Sequence, residues 1–401
     1  MKIACIVQRY GADIAGGSEA HCREIAERLA TRHDVSVLTS CARDYVTWAN
    51  AFPAGTSVER GVRIVRFPVA RRRRLKLFAD LSDEVFNGRA PVPRQEEWFR
   101  ENGPVTPDLL EHLRQHGTSY DVVLFWAFRY YPSYFGVPIV ADRAILVPTA
   151  EDDRAIDLEV LEAYFQKPAG YIFLTPEEER LVATRAGRPL EPFTIIGAGL
   201  DAVQPSDAAA QRRESGLATP YVLYLGRVDR NKGCDTLLEY FQAFAKADDA
   251  PTLVLAGPAK MQIPSHPKIS ALGYVSGEMR EALLANARAL IVPSPYESLS
   301  IVLLEGWNHA VPALVNGRCK VLAGQVRRAN GGLAFRSAAE FEEALRYLMT
   351  HPVESATMGV QGRRYVDREY RWPTVLSRVE DLLAQVIAGR RGRSTPPVEQ
   401  P

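Results

Sequence analysis

The sequence predicts an α/β protein made of two doubly wound domains, and three observations support this fold class. The chain has 401 residues, which is too long for one ordinary hydrophobic core. Short apolar runs alternate with segments of helical periodicity, as is typical of β-α-β units with parallel strands. The alternation stops in a polar, proline-containing connector at residues 201–220 and then begins again.

The first domain is predicted to cover residues 1–200. An apolar run at 3–7 predicts a strand, the spacing of apolar residues at 20–30 predicts a helix, and 35–38 predicts the next strand. Together they form one β-α-β unit, which implies a parallel sheet. Further strands are predicted at 62–67, 122–125, 139–147 and 171–174.

The second domain is predicted to cover residues 201–371 and to repeat this pattern. Its predicted strands are 222–225, 253–256, 289–292 and 313–315. Its predicted helices are 236–247, 278–287 and 302–308. The tail at 389–401 is rich in glycine, proline and arginine, and this composition predicts disorder.

Composition argues against several classes of protein. Lysine and arginine total 49 against 48 acids, so the formal charge of +1 gives no general attraction to nucleic acid. Five scattered cysteines without CxxC spacing predict neither a disulfide framework nor a zinc site, which favours a reducing cytoplasm. No apolar stretch approaches the ~20 residues of a membrane-spanning helix. The arginine run 71–74 has two interpretations, a solvated surface or peripheral contact with anionic lipid, and the solvated surface is favoured.

Two glycine-containing clusters follow predicted strands, where open α/β sheets bind ligands. Gly16 and Gly17 would let backbone N–H groups approach a phosphate at a helix N-terminus, although a plain turn with Ser18 as N-cap fits equally well. Arg227 and Lys232 follow a buried strand and offer donors to an anion. Solvated loop charges are the alternative for that pair.

Two acidic clusters also follow predicted strands. Glu297 and Glu305 stand eight residues apart around an apolar run, which places Glu297 in a loop and Glu305 about two turns along a helix. Both would face one elongated ligand, unless the run is simply a buried helix with solvated ends. The acids 151–153 follow a first-domain strand and form either an exposed turn or part of a cleft.

Taken in order, the motifs GGSEAH, TIIGAGLD, LGRVDRNKG, LGYVSGEM and PSPYESLSIVLLEGWNHAVPALV resemble glycosyltransferase family 4 over residues 1–388. That family contains retaining, sugar-nucleotide-dependent enzymes of the GT-B fold. The resemblance implies an acceptor-side first domain and a nucleotide-sugar-binding second domain that face a cleft. It also implies a helix at 372–388 that crosses back to the first domain.

The resemblance also assigns roles to residues. Arg227 and Lys232 would hold the donor diphosphate and form the catalytic set with Glu297, while Glu305 would bind the ribose. The acceptor or the donor sugar would lie near Glu151, Asp152 and Asp153. The remaining donor-binding residues would be Gly16, Gly17, Gly226, Gly273, Tyr274, Val275, Ser298, Leu299, Ser300 and Ile301.

The implied reaction is front-face substitution without a protein nucleophile, a cofactor or an essential metal. The expected partners are a nucleotide-sugar donor and a small-molecule or glycan acceptor, with no nucleic acid and at most peripheral membrane contact. Relatives often carry His-Asp where this chain has Glu151-Asp152. This departure suggests the hypothesis of an aminated or C6-extended donor sugar, or of a cationic acceptor.

The pathway and two other functions stay open. Surface polysaccharide synthesis is slightly favoured over specialised natural-product assembly of the aminoglycoside or lincosamide-like thiosugar kind. A non-catalytic sugar-nucleotide sensor and a GT-B glycan phosphorylase are the alternative functions. A nicotinamide-dependent oxidoreductase is disfavoured, because the chain has no GxGxxG fingerprint.

Overall fold

The structure is a computed structural model that describes residues 1–14, 16–88, 90–203, 220–246 and 250–394. The chain divides into two compact units, of which unit 1 comprises residues 1–197 and 375–401 and unit 2 comprises residues 198–374. Most of the predicted polar connector, residues 204–219, lies outside the described residues.

Unit 1 contains an eight-stranded sheet. Its strands are β1 (Lys2–Ile6), β2 (Asp34–Ser40), β3 (Gly55–Glu59), β4 (Val62–Phe67), β5 (Val122–Trp126), β6 (Ala144–Val147), β7 (Gly170–Phe173) and β8 (Phe193–Ile195). They lie in the order β3-β4-β2-β1-β5-β6-β7-β8, and only β3 pairs antiparallel. The central strands are nearly continuous apolar runs because both faces of the sheet are covered.

The helices of unit 1 pack on this sheet and complete its hydrophobic core. They are α1 (Gly17–Leu29), α2 (Leu75–Asn87), α3 (Val92–Asn102), α4 (Pro107–His116), α5 (Tyr131–Gly136), α6 (Val160–Tyr164) and α7 (Pro176–Ala186). Local sequence explains the limits of α7: Thr175 caps its first turn, proline follows at the first helical position, and Gly187 ends it in a left-handed conformation.

Unit 2 contains a six-stranded sheet in which all neighbouring strands run parallel. Its strands are β9 (Tyr221–Leu225), β10 (Thr252–Ala256), β11 (Ile269–Gly273), β12 (Ala289–Val292), β13 (Ala313–Asn316) and β14 (Gly332–Phe335). Their order is β11-β10-β9-β12-β13-β14, so the order reverses between β9 and β12. The carboxyl ends of strands beside such a reversal are the usual ligand site of open α/β sheets.

The helices of unit 2 follow the strands as the sequence predicts for a doubly wound domain. They are α8 (Cys234–Phe244), α9 (Gly277–Asn286), α10 (Ile301–Asn308), α11 (Lys320–Ala329), α12 (Ala338–Thr350) and α13 (Pro352–Glu369). Helix α10 is anchored by Trp307, which is fully buried and donates its indole N–H to the Gly331 carbonyl at 2.8 Å. The predicted α/β class with two parallel, doubly wound sheets is therefore confirmed.

The last helix, α14 (Trp372–Ser394), begins in unit 2 and continues in unit 1. Within unit 1, Glu380 accepts a hydrogen bond from the His33 ring at 2.8 Å, and Arg390 donates to the Asp121 carbonyl at 2.6 Å. Disorder was predicted from residue 389, and this is wrong for residues 389–394, which are helical. Residues 395–401 lie outside the described residues. No helix in the described part of the chain is both long enough and apolar enough to cross a bilayer.

One predicted strand is partly wrong. The apolar run at 139–147 is a strand only at β6, because residues Val137–Arg143 form a 3₁₀ helix. Pro138 supplies no N–H for a sheet ladder, and Asp142 and Arg143 interrupt the apolar run. The strand prediction therefore extended too far toward the N-terminus.

Candidate functional site

Two glycines shape the turn that carries Arg227. The Gly226 N–H donates to the Ala256 carbonyl at 2.9 Å, which joins the ends of β9 and β10. Gly257 has φ +145, and a Cβ built there would lie 2.0 Å from the Gly226 carbonyl oxygen. Only glycine fits this position, because a side chain would displace the backbone directly before Arg227.

The Arg227 guanidinium lies at the start of the charged turn and is 38% exposed. Its Nε forms an ion pair with the Asp229 carboxylate. The other Asp229 oxygen accepts the backbone N–H of Lys232 at 2.9 Å and caps the 3₁₀ turn Arg230–Lys232. Asp229 therefore orients Arg227 and fixes the backbone of Lys232 at the same time.

Lys232 contacts Glu297, which belongs to the acidic cluster predicted in this unit. Its Nζ lies 2.8 Å from Oε1 of Glu297, and the two side chains are 33% and 13% exposed. Gly233, with φ +71, allows the contact, because a Cβ there would lie 2.4 Å from the Pro293 carbonyl oxygen. The structure thus brings together the three residues predicted to form the catalytic set.

The loop after β12 leads into α10 with an unusual backbone. Ser300 is the N-cap residue of α10, has φ +69, and makes no side-chain capping hydrogen bond. Ser298 is half-buried, whereas Leu299 and Ser300 are buried. Ile301 begins the helix. Ser300 therefore does not cap the first N–H groups of α10, which lie at the positive end of the helix dipole.

Glu305 is the fifth residue of α10, about one turn from its start, so the predicted two turns are wrong. The residues between Glu297 and Ile301 belong to the loop, which leaves only about one turn of helix before Glu305. Glu305 pairs with Arg280 of α9, and their side chains are 21% and 37% exposed.

The predicted base-binding segment lies at the same edge of this sheet. Gly273 ends β11, and its carbonyl accepts the Gly257 N–H at 2.7 Å. Tyr274 is 86% exposed and Val275 is half-buried. The segment is therefore connected by a backbone hydrogen bond to the glycine that shapes the Arg227 turn.

In unit 1, the predicted glycine loop precedes α1. Gly16 is the N-cap residue and Gly17 is the first helical residue, so the alternative with Ser18 as N-cap is wrong. Ser18 instead accepts a hydrogen bond from the Gln8 amide at 3.0 Å and donates one to Glu19 at 2.8 Å. Arg9 Nε donates to Glu19 Oε1 at 2.9 Å, and both side chains are buried. This pair, which the sequence did not indicate, holds the first turn of α1.

His21 joins two of the motifs within unit 1. Its Nδ1 lies 3.0 Å from the Trp126 indole nitrogen and its Nε2 lies 2.8 Å from the Gly197 carbonyl. Because an indole N–H only donates, Nδ1 accepts and Nε2 carries the proton. Burial lowers the pKa of His21 to about 4, so the ring is neutral at neutral pH. The GGSEAH and TIIGAGLD motifs are therefore linked by one uncharged histidine.

The predicted acidic cluster is a fixed loop rather than a loose surface turn. Asp153 accepts the Ala155 N–H at 3.0 Å and pairs with Arg129 at 3.1 Å. Glu151 and Asp153 both raise the pKa of Arg129, although its burial acts in the opposite direction. Glu151 and Asp152 are half-buried and exposed, respectively. Arg129, which follows β5, is therefore part of this cluster, although sequence reasoning missed it.

A buried carboxyl supports the same loop. Glu178 is fully buried, and its two oxygens accept the N–H groups of Ala150 and Leu174, each at 2.6 Å. Burial raises its pKa to about 8, despite these hydrogen bonds, which lower it. Thr149 has φ +48, a strained conformation for a β-branched residue. Thr175 and Glu178 have the spacing of a capping box, the one sequence signal that marked this glutamate.

The arginine run has partners of its own. Arg71 and Arg74 both pair with Glu101, whose side chain is 2% exposed. Arg73 donates to the Asn102 carbonyl at 3.1 Å and to the Tyr45 carbonyl at 3.0 Å. Arg72 and Arg74 are exposed, as the favoured interpretation of a solvated surface predicts, whereas Arg71 and Arg73 are half-buried. Arg71, Arg73 and Arg74 also hold neighbouring segments together.

All five cysteines are free and buried. In the described part of the chain, no group of three or more His, Cys, Asp and Glu side chains is arranged to hold a metal ion.

Comparison with known proteins shows that the chain is similar to glycosyltransferases. Residues 219–351 match the family model described as glycosyl transferases group 1. The chain is 27% identical to the glycogen synthase of Mycobacterium tuberculosis over 429 aligned residues, which cover 99% of this chain and 97% of the relative. It is 26% identical to the alpha-D-kanosaminyltransferase of Streptomyces kanamyceticus over 175 residues, which cover 39% of this chain and 45% of the relative.

Solved structures give the fold. The sucrose-phosphate synthase of Thermosynechococcus elongatus superposes with a TM-score of 0.74 at 19% identity, covering 97% of this chain and 99% of the other. Anabaena HepE in complex with UDP and glucose superposes with a TM-score of 0.69 at 14% identity, covering 96% and 99%. These findings confirm the predicted resemblance to glycosyltransferases and the predicted GT-B fold. Assignment to family 4 stays a prediction.

Proposed function

We propose that this glycosyltransferase-like chain is a retaining enzyme that moves a sugar from a nucleotide diphosphate to an acceptor. One observation carries the proposal: Arg227, Lys232 and Glu297 converge at the carboxyl edge of the unit 2 sheet, within the residues that match the family model. A departing diphosphate needs fixed positive charge near it, and Arg227, Lys232 and the positive end of the α10 dipole supply it.

In the proposed reaction, the acceptor oxygen attacks the anomeric carbon from the face that the nucleotide leaves. The new carbon–oxygen bond forms as the carbon–phosphate-oxygen bond breaks, and the leaving phosphate oxygen takes the proton of the acceptor. Configuration is therefore retained without a protein nucleophile. Arg227 and Lys232 stabilise the charge that grows on the diphosphate.

Glu297 holds the Lys232 ammonium through the 2.8 Å contact and lies where the donor sugar is expected. When the diphosphate enters, Lys232 shares its donors between Glu297 and the phosphate oxygens. Glu305, which pairs with Arg280, accepts hydrogen bonds from the ribose hydroxyls in this proposal. No cofactor and no essential metal take part.

We propose UDP as the donor nucleotide to test first, because HepE was solved with UDP and glucose. The glycogen synthase relative supports polysaccharide synthesis, and the kanosaminyltransferase relative supports natural-product assembly. The half-buried acid Glu151 near Arg129 motivates the choice of an aminated donor sugar or a cationic acceptor. A reducing cytoplasm is the proposed location, since five buried free thiols persist there.

Turnover tests this proposal directly. The purified chain is incubated with UDP-glucose and UDP-hexosamines together with neutral and amine-bearing glycoside acceptors, and both released UDP and glycoside product are measured. The proposal expects stoichiometric UDP and product, with the anomeric configuration of the donor kept in the proton NMR spectrum of the product. Inversion would contradict the mechanism. Tight binding with no turnover of any donor would instead support the sensor function.

A further inference from the structure

Residues 316–325 contact the loop that precedes α10 at three of its backbone positions. Asn316, at the end of β13, donates its side-chain amide to the Pro293 carbonyl at 3.0 Å. Burial raises the pKa of the Cys319 thiol, and the nearby backbone N–H of Glu297 acts in the opposite direction. Gln325 of α11 donates its Nε2–H to the Leu299 carbonyl. Residues 316–325 therefore fix the course of the loop that carries Glu297.

Gln325 is the most informative of these three. Its side chain is fully buried, and its Oε1 has no hydrogen-bond partner among the described residues. A buried acceptor without a partner lowers stability, whereas leucine or methionine would fill similar space without that penalty. The hydrogen bond from Nε2 to the Leu299 carbonyl is therefore the feature that explains a glutamine at this position.

That hydrogen bond controls a peptide plane. The Leu299 carbonyl and the Ser300 N–H belong to the same planar, trans peptide unit, so they point in opposite directions. Holding the carbonyl toward Gln325 turns the Ser300 N–H away from α11. Ser300 has φ +69, which is strained for a residue with a side chain and persists only when its surroundings impose it.

We propose that Gln325 is a positioning residue that aims the Ser300 N–H and the start of α10 at the diphosphate of a sugar nucleotide. This inference rests on the proposed function and goes beyond it, because Gln325 acts through the peptide plane and need not touch the ligand. Without its N–H donor, the plane rotates toward a relaxed Ser300 conformation. The Ser300 N–H then no longer faces the diphosphate.

Two variants separate this role from simple packing. Gln325→Met keeps the volume and loses the donor, so we expect its affinity for UDP to fall by about tenfold, the effect of one hydrogen bond held in a buried site. Gln325→Glu keeps the shape and makes the donor depend on pH. A protonated carboxyl donates to the Leu299 carbonyl, whereas the ionised carboxylate repels it.

The measurement is calorimetric titration with UDP at about pH 5.5 and about pH 8.5, with each variant normalised to the wild type at the same pH. The relative affinity of Gln325→Glu should recover toward that of the wild type at the lower pH, while Gln325→Met should stay weak at both. Gln95→Met is the matched control, because Gln95 is a buried glutamine of unit 1 that donates to the Ala90 carbonyl at 2.8 Å. It should bind UDP as the wild type does.

Wild-type affinity in Gln325→Met, or a relative affinity of Gln325→Glu that is the same at both pH values, would overturn the inference. If Gln325→Met does not fold, the pH comparison within Gln325→Glu decides alone. Absence of binding by the wild type of UDP, and of GDP, dTDP, CDP and ADP titrated in its place, would overturn the proposed function, and this inference with it. Binding by the wild type with unchanged variants overturns this inference only.

Discussion

Substituting alanine for Gly257 should damage the Arg227 turn without touching any charged residue. The added Cβ would lie 2.0 Å from the Gly226 carbonyl oxygen, whereas Cβ contacts under 3.0 Å essentially never occur. The carbonyl must therefore move by about 1 Å, the difference between these two distances. Gly226 directly precedes Arg227, so the guanidinium moves as well.

The expected magnitude follows from two costs. A side chain at φ +145 is strained, by about 1–3 kcal/mol for a backbone conformation of this kind. The clash adds to this cost, so the free energy of unfolding should fall by about 2–4 kcal/mol. Since misplacing a binding group by about 1 Å is costly, UDP affinity should fall by about tenfold or more.

Urea denaturation and calorimetric titration with UDP measure the two effects. Gly389→Ala is the matched control, because a Cβ at that exposed position of α14 has nothing within 4 Å. The control should bind UDP normally and be as stable as the wild type or slightly more, since alanine favours a helix. The reasoning is refuted if Gly257→Ala binds UDP with wild-type affinity.

Four further outcomes follow from the structure. Lys232→Met should lower the free energy of unfolding by about 1 kcal/mol, since its ion pair with Glu297 is partly exposed. A double-mutant cycle with Glu297→Gln, measured by urea denaturation, should show a coupling energy of the same order. Zero coupling energy would contradict a stabilising contact between the two side chains. Glu178 has its pKa raised from 4.5 to about 8, so stability should fall as pH rises between these values, by up to about 1.4 kcal/mol per pH unit. His21, with its pKa lowered from 6.5 to about 4, acts in the opposite sense below pH 6.5. Urea denaturation between about pH 6.5 and 8 therefore isolates the Glu178 effect, and Glu178→Gln should lack it; equal slopes for both proteins would exclude it. Glu151→Ala should change turnover of aminated relative to neutral substrates, and equal rates for both proteins would exclude a specificity role.

Local pattern predicted the buried parts of the fold well. Strands β4 and β12 have the predicted bounds. Apolar residues are interrupted by two arginines in β4 and form a continuous run in β12, and each pattern leaves one register that buries the apolar side chains. Strand β3 was missed because it is exposed along its whole length and carries no apolar alternation. Strand β11 is only partly buried and was missed for the same reason.

The candidate site could be predicted only where its residues directly follow strands. Arg227, Lys232 and Glu297 meet because parallel strands end at one edge of a sheet, which the sequence pattern already implies. The supporting residues gave weaker signals, since each contacts a segment distant in sequence. Glu178 holds a loop 28 residues away and Gln325 holds one 26 residues away, and no local period encodes such contacts.

Calorimetric titration of the wild type and of Arg227→Ala with UDP, GDP, dTDP, CDP and ADP tests the central claim most directly. Arg230→Ala is the matched control, because Arg230 is an exposed arginine of the same turn. We predict that the wild type binds UDP most tightly, that Arg227→Ala binds it at least about tenfold more weakly, and that Arg230→Ala resembles the wild type. No binding of any nucleotide by the wild type, or equal binding by Arg227→Ala, would contradict the assignment of this turn as a diphosphate site.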